Sequence, residues 1–195
     1  MRSQVTTQKG DQGQTIAISG DRLSKSDPVM ESCGCVDALR AHTALVRVLI
    51  QESVREDAEY LSKILHWLLH VYFLLGTECN DPLAKRPEFR KGTVSPEHLK
   101  RLESWQAELE ARLNLPKAFV VSASNPLSAQ ADIACTAARD AERSIVRLTE
   151  AIPEFKAQDI LVFVNRLSDF LYILARHLDG GQYQVVDYSV LDEMP

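Results

Sequence analysis

The sequence predicts an all-α protein, a five-helix bundle preceded by a flexible N-terminal loop. Three observations carry this. Apolar residues recur at alternating steps of three and four in five separate segments, the spacing that keeps one helix face apolar. Two segments open on a capping residue followed by proline, Ser95-Pro96 and Asn125-Pro126. The later segments stop at breakers: Pro116, Pro153 and the pair Gly180-Gly181.

Taken in order, Met1 to about Met30 shows no apolar period and carries Gly10, Gly13 and Gly20 among polar residues. This composition suits an arm that is either disordered or ordered by a ligand. The first helix reads from Val36 through Leu39, Thr43, Val46 and Ile50 to Val54, and the second through Leu61, Ile64, Leu65, Leu68, Tyr72 and Leu75. Residues 76–94 read as a loop rich in breakers and basic side chains. Leu99, Leu102, Trp105, Leu109 and Leu113 mark the third helix, after which Phe119-Val120-Val121 can seat a connection against the core. The fourth segment has the strictest pattern: Leu127, Ala131, Ala134, Ala138, Ala141, Ile145, Leu148 and Ile152 form an unbroken heptad seam. Its alanine middle lets a neighbouring backbone come close, and Arg139, Glu142 and Arg143 run beside it. Ile160, Val164, Leu167, Leu171, Leu174 and Leu178 make the fifth helix. The divisions are therefore an arm at 1–30, a bundle at 31–182 and a β-prone tail at 183–195.

A chain of 195 residues can bury a core of its own. Its formal net charge of −5 argues against a general nucleic-acid binder. Met1 to Gly20 lacks the apolar stretch of a signal peptide, and Trp67 to Leu75 is too short to span a bilayer. A cytoplasmic protein with no nucleic-acid or membrane partner is expected. Cys33, Cys35, Cys79 and Cys135 show no zinc-site spacing. They read as buried or half-buried thiols, with a reactive thiol at a helix N-terminus as the alternative. His66 and His70 sit four apart on one helix, suiting either a packed pair or two ligands of a metal lacking a third.

Three separated segments resemble one family. Thr7-Gln8-Lys9-Gly10-Asp11-Gln12-Gly13-Gln14-Thr15, followed by Arg22-Leu23-Ser24-Lys25, is similar to a T-(K/R)-T-G-D-x-G-x-T motif and the R-V-S-K after it. Gly34-Cys35-Val36-Asp37-Ala38-Leu39 is similar to G-T-V-D-E-L. Asn165-Arg166-Leu167-Ser168-Asp169, with Leu174-Ala175-Arg176 beyond, is similar to N-R-L-S-D-Y-L-F-x-L-A-R. Between them Ala141-Glu142-Arg143 agrees with the end of A-R-T-x-x-R-R-A-E-R. In this order and spacing, the segments resemble the PduO-type ATP:cob(I)alamin adenosyltransferases.

The resemblance implies a trimeric five-helix bundle of the cobalamin adenosyltransferase type, with active sites between subunits. It implies transfer of the 5′-deoxyadenosyl group of ATP to the cobalt of cob(I)alamin, assisted by Mg²⁺, with triphosphate released. Thr7, Gly10, Asp11, Gly13, Thr15 and Lys25 then fall in the nucleotide loop. Arg139, Glu142 and Asn165 fall in the nucleotide-contacting helices, and Phe119 falls beneath the corrin ring. Asp37 matches an aspartate that pairs with an arginine across the interface. Without the resemblance, Phe119 reads as core, Arg139 and Arg143 as a solvated stripe, and Asp37 as a favourable charge near a helix start. Asn165, an indifferent helix former, hints at a specific hydrogen bond.

The departures fall in the ligand-facing segments. Cys135 stands at the family's pairing arginine, whose role Arg139 or Arg40 could take over. Asp140 reverses the charge of a second arginine. Gln8 removes one cation, which Lys9 could partly restore. Ala123-Ser124 replaces a glycine pair, and Asp132 replaces a histidine. Two functions follow: a corrinoid adenosyltransferase, or a non-catalytic nucleotide- or corrinoid-binding scaffold on the same bundle.

Overall fold

The computed structural model describes Thr6, Gln8 and residues 10–192. Five α-helices form one bundle: α1 (Pro28–Glu52), α2 (Ala58–Asn80), α3 (Pro96–Glu110), α4 (Pro126–Ala151) and α5 (Gln158–Leu178). Strands β1 (Gln14–Ile16) and β2 (Arg22–Ser24) make an N-terminal antiparallel hairpin, with Thr15 opposite Leu23. Strands β3 (Val120–Val121) and β4 (Gln184–Val185) pair at one end of the bundle.

The predicted seams of α2 and α5 are buried, and on α3 Leu102 and Leu109 are buried while Leu99, Trp105 and Leu113 are half-buried. Every position from Ala131 to Leu148 on the α4 seam is inside, and Leu127 and Ile152 at its ends are half-buried. Helix α4 packs between α1 and α5, while α2 lies against α1 and α3 against α5. Where alanines face the neighbours the axes can approach closely, and each buried methyl still contributes to the core. Thr43 of α1 and Tyr72 of α2 satisfy each other's buried hydroxyls at 3.3 Å. Trp67 meets Trp105 edge-on at 5.0 Å, tying α2 to α3.

Several boundaries differ from those the period suggests. Helix α1 begins at Pro28, because Asp27 accepts from the Val29 N–H at 2.9 Å and caps it. The first turns escape the apolar rhythm because Ser32 and Cys33 occupy inward or half-buried positions. Val54 lies past the end of α1 and is exposed. Helix α2 runs on to Asn80. Phe119 is 81% exposed, so it does not seat a connection against the core. Instead the tail supplies β4, and Val186 donates its N–H to the Phe119 carbonyl at 2.9 Å.

The Asn125 cap is observed: its side chain accepts from the N–H groups of Leu127 and Ser128, each at 3.0 Å. Its amide also donates to the Leu178 carbonyl at 3.1 Å, joining the start of α4 to the end of α5. Gly180 and Gly181 both take φ of +72°, which lets the chain turn out of α5.

At the start of α2, Asp57 receives Arg55 at 2.9 Å and His177 Nε2 at 2.6 Å, linking α2 to the last turn of α5. Burial alone would raise this carboxyl, but the hydrogen bonds from Arg55 and His177 hold it below its usual range. A depressed carboxyl stabilises the fold above its unfolded value, near pH ~4, and that contribution disappears as pH falls through the folded value. Asp57→Asn should therefore cost about 1–2 kcal/mol at neutral pH and flatten the loss of stability below pH ~4. Denaturant midpoints measured across pH 3–7 check this.

Candidate functional site

The N-terminal hairpin lies beside a groove between α1 and α4. Gly13, at φ +75°, donates to the Gly10 carbonyl at 3.2 Å, and Lys25 donates its backbone N–H to the Gly13 carbonyl at 2.9 Å. The Lys25 ammonium packs against Gly10, where a Cβ would stand 3.2 Å from Nζ. The groove encloses about 450 Å³ and is lined by Lys25, Gly34, Cys35, His42, Thr136 and Asp140 among others. A glycine turn with an ammonium beside it, open to a groove, is an arrangement that can receive phosphate oxygens. Asp11 and Gly13 are exposed, and Thr15 is half-buried within β1. Thr7 and Lys9 lie outside the described residues.

The stripe on α4 is organised differently from a simple basic face. Arg139 is exposed. Arg143 is ion-paired with Asp140 rather than with Glu142. Glu142 instead accepts from Asn165 Nδ2 at 3.0 Å, which is the specific hydrogen bond that an asparagine inside α5 suggests. Arg139, Glu142 and Asn165 therefore occupy one outer region of α4 and α5. Phe119 precedes β3 and the start of α4 at Pro126, and Arg139 lies about 20 Å along that helix from its start.

Asp37 is in the third turn of α1, well inside the helix that begins at Pro28, so the helix-start reading does not apply to it. It is 63% exposed and pairs with Arg40 at 2.8 Å. Arg40 in turn lies 4.5 Å over the Phe73 ring. Arg40 has thus become the partner within the chain.

Cys135 is buried and donates to the Ser168 carbonyl at 3.2 Å. Burial pushes its thiol up, with Arg139 one turn away pulling the other way. Burial likewise raises Cys33 to about 11, and Cys79 is raised for the same reason. Cys33 lies in the second turn of α1 with its thiol pushed up by burial, which speaks against a reactive thiol at that position. His66 and His70 are both exposed on α2: His70 Nδ1 meets the His66 carbonyl at 2.8 Å and the rings meet edge-on at 4.5 Å, so they touch each other without packing into the bundle.

Two other departures belong to one buried network. Arg176, 1% exposed, pairs with Asp132 at 2.7 Å and Asp179 at 3.1 Å. Asp179 also accepts from the Ser124 N–H at 2.9 Å and Oγ at 2.6 Å. Burial works to raise both carboxyls and prevails at Asp132. At Asp179 the Ser124 and Ser128 hydrogen bonds, with Arg176, hold the value below its usual range. Asp132 and Ser124 thus serve the packing of α4 on α5. Nothing in the spacing of the sequence joins residues so far apart. Ala123, at φ +59°, keeps the left-handed backbone that a glycine would adopt without cost.

Comparison with known proteins agrees with the motifs. The model of the cobalamin adenosyltransferase family matches residues 5–178. The chain belongs to that family. A cobalamin adenosyltransferase of Cupriavidus metallidurans is 33% identical over 191 residues, covering 94% of each chain. The human corrinoid adenosyltransferase is 30% identical over 184 residues, covering 93% of this chain and 72% of the human one. A variant PduO-type ATP:corrinoid adenosyltransferase from Lactobacillus reuteri, complexed with cobalamin and ATP, superposes with a TM-score of 0.82 at 26% identity. That match covers 95% of this chain and 97% of the other. The predicted bundle is thus the family's bundle.

Within this family fold, the departures have measurable consequences. Arg176→Leu leaves the buried Asp179 and the half-buried Asp132 without their counter-ion and should cost about 3–5 kcal/mol, whereas Asp132→Asn, which leaves Asp179 in place, should cost less. Ala123→Gly should raise stability by about 1 kcal/mol by relieving the left-handed alanine. Urea denaturation of the three variants checks both.

Proposed function

We propose that this protein transfers the 5′-deoxyadenosyl group of ATP to cob(I)alamin and releases triphosphate. The observation that carries this is the hairpin of Gly10, Gly13 and Lys25 beside a groove, on a chain whose family is established. The relatives named for cobalamin and ATP support the same substrates here.

In this reaction the reduced cobalt attacks C5′ of ATP, the C5′–O bond breaks, and its electron pair leaves with the triphosphate. Cobalt is the nucleophile, so no protein base is required. The chain's own task is to orient ATP and to stabilise charge gathering on the departing oxygens. Backbone N–H groups around Gly10 and Gly13, with Lys25, Thr15, Asp11, Thr7 and Lys9, form the proposed triphosphate and nucleotide site. Arg139 is the proposed catalytic cation, while Glu142 and Asn165 hold one another in a fixed register beside it. Among the described residues no group of three His, Cys, Asp or Glu side chains is gathered as a metal site. A magnesium ion would be held mainly by triphosphate oxygens, where it would neutralise leaving-group charge.

A homotrimer with shared sites accounts for side chains that one chain leaves outward. Asp37, Arg139 and Phe119 are all exposed, as are the apolar Leu45 and Val48 of α1 and Ile133 and Val146 of α4. Burial of such residues between subunits would bring Phe119 to a corrin face and Asp37 to an interface. No helix among the described residues is long and apolar enough to cross a membrane. We place the protein in the cytoplasm, with residues 1–30 as the nucleotide arm.

One observation favours the alternative of a binding protein without turnover: Cys135 is buried and satisfied, and Asp37 has Arg40. Mixing reduced cobalamin, ATP and Mg²⁺ with the protein should produce the spectrum of adenosylcobalamin. Failure to exceed a protein-free control, with ATP and cobalamin still bound in calorimetry, would establish the scaffold reading instead. Arg139→Ala should lower kcat by about 10²–10³-fold, as loss of one charge-stabilising donor does.

A further inference from the structure

The tip of the N-terminal hairpin is docked on the loop that follows α2. Ile18 donates its backbone N–H to Asn80 Oδ1 at 2.6 Å. Lys85 Nζ reaches Asp21 Oδ2 at 2.6 Å, and Ser19 donates to the same oxygen at 2.9 Å. Gly20, at φ +88°, lies flat under Arg86: a Cβ there would stand 3.3 Å from Nη2. Ala17, buried beneath the tip, donates to the Asp21 carbonyl at 2.9 Å and closes the turn.

The receiving loop is braced in its turn. Asp81 is fully buried and accepts from the N–H groups of Lys85 and Arg86 at 2.9 and 2.8 Å. Arg90 donates to the Asp81 carbonyl. The position of Asn80 is set by α2, of which it is the last residue. A rigid helix end therefore grips the hairpin tip, while the hairpin's other end brings Lys25 to the groove with the Gly13 turn beside it. Strands of three residues span only ~10 Å, so fixing the tip limits where that far end can stand.

We propose that Asn80 is a positioning residue for the nucleotide: by docking the hairpin tip onto the end of α2, it holds the Gly10–Gly13 turn and Lys25 in the place where they meet ATP. This rests on the hairpin being the nucleotide site. Asn80 carries more of the docking than Lys85 does. Both contacts are solvent-exposed, but the Lys85–Asp21 ion pair is screened and joins two mobile side chains, whereas the Asn80 bond ties a backbone N–H of the hairpin to a residue of a helix terminus.

The test compares Asn80→Ala with Asn80→Asp, which keeps an acceptor oxygen at the same reach. Amide exchange of residues 14–24 in the ligand-free protein reads the docking. Calorimetry with ATP, and KM for ATP and for corrinoid, read its consequence. Asn80→Ala should speed exchange at Ile18 and weaken ATP binding by about fivefold, the effect of one lost hydrogen bond. KM for ATP should rise alike, with kcat at saturating ATP and KM for corrinoid unchanged, and Asn80→Asp should restore binding. A wild type that binds ATP while Asn80→Ala binds it equally well overturns the positioning role alone. A loss of kcat in Asn80→Ala that Asn80→Asp does not rescue also overturns it. A wild type that fails to bind ATP overturns both this role and the nucleotide reading of the hairpin.

Discussion

The close packing of α4 against α1 and α5 is the constraint on which the other features depend. Its alanines at 131, 134, 138 and 141 are buried and leave no long side chain to hold the neighbours apart. An alanine contributes less apolar area than a leucine, so the stabilisation comes from how closely the backbones approach. Larger side chains at these points would overpack the interface and push α1 and α5 outward. The groove beside Lys25 lies along the same contact, lined by Gly34 and Ala38 of α1 and Thr136 and Ala137 of α4. Packing and site are therefore two sides of one seam.

Close packing also raises the stakes for every polar group near it. The buried guanidinium of Arg176 is held by two carboxylates, and the amide of Asn125 reaches from the cap of α4 to the carbonyl end of α5. Such groups contribute orientation more than net stability, because desolvation offsets much of their attraction. They fix how the start of α4 meets the end of α5. Phe119 and the β3–β4 pair emerge at that same end, so the exposed aromatic ring has a rigid base. The N-terminal hairpin obtains its own base from the far side, at the end of α2. Two short β-ribbons are thus anchored to a helical frame.

The helical part of this architecture was legible because burial and periodicity coincide. The α2 and α5 seam residues are all inside, and so are the central six of α4. Local rules also located the caps at Asn125 and the stop at Gly180-Gly181. Boundaries failed where polar or half-buried residues carry the helix, as in the first turns of α1. The tail and Phe119 were unreadable for a different reason: a pair of two-residue strands has too short a pattern to reveal its partner some sixty positions away. The same limit hid the Asn80–Ile18 bond and the Asp132–Arg176 pair. Motif resemblance pointed to the proposed site segments, yet it could not tell that Asp132 and Ser124 answer to Arg176 and Asp179. Seen as a network, these two changes are replacements that suit each other, whereas Cys135 is buried against the Ser168 carbonyl and Asp140 pairs with Arg143.

The position of the nucleotide decides between the proposed functions. A crystal structure of the full chain grown with ATP and magnesium addresses this directly. Triphosphate oxygens should lie against the Gly10–Gly13 turn and the Lys25 ammonium, with Arg139 of the same or a neighbouring subunit reaching the nucleotide. Nucleotide bound elsewhere on the bundle, with the hairpin and Arg139 both unengaged, would contradict this placement.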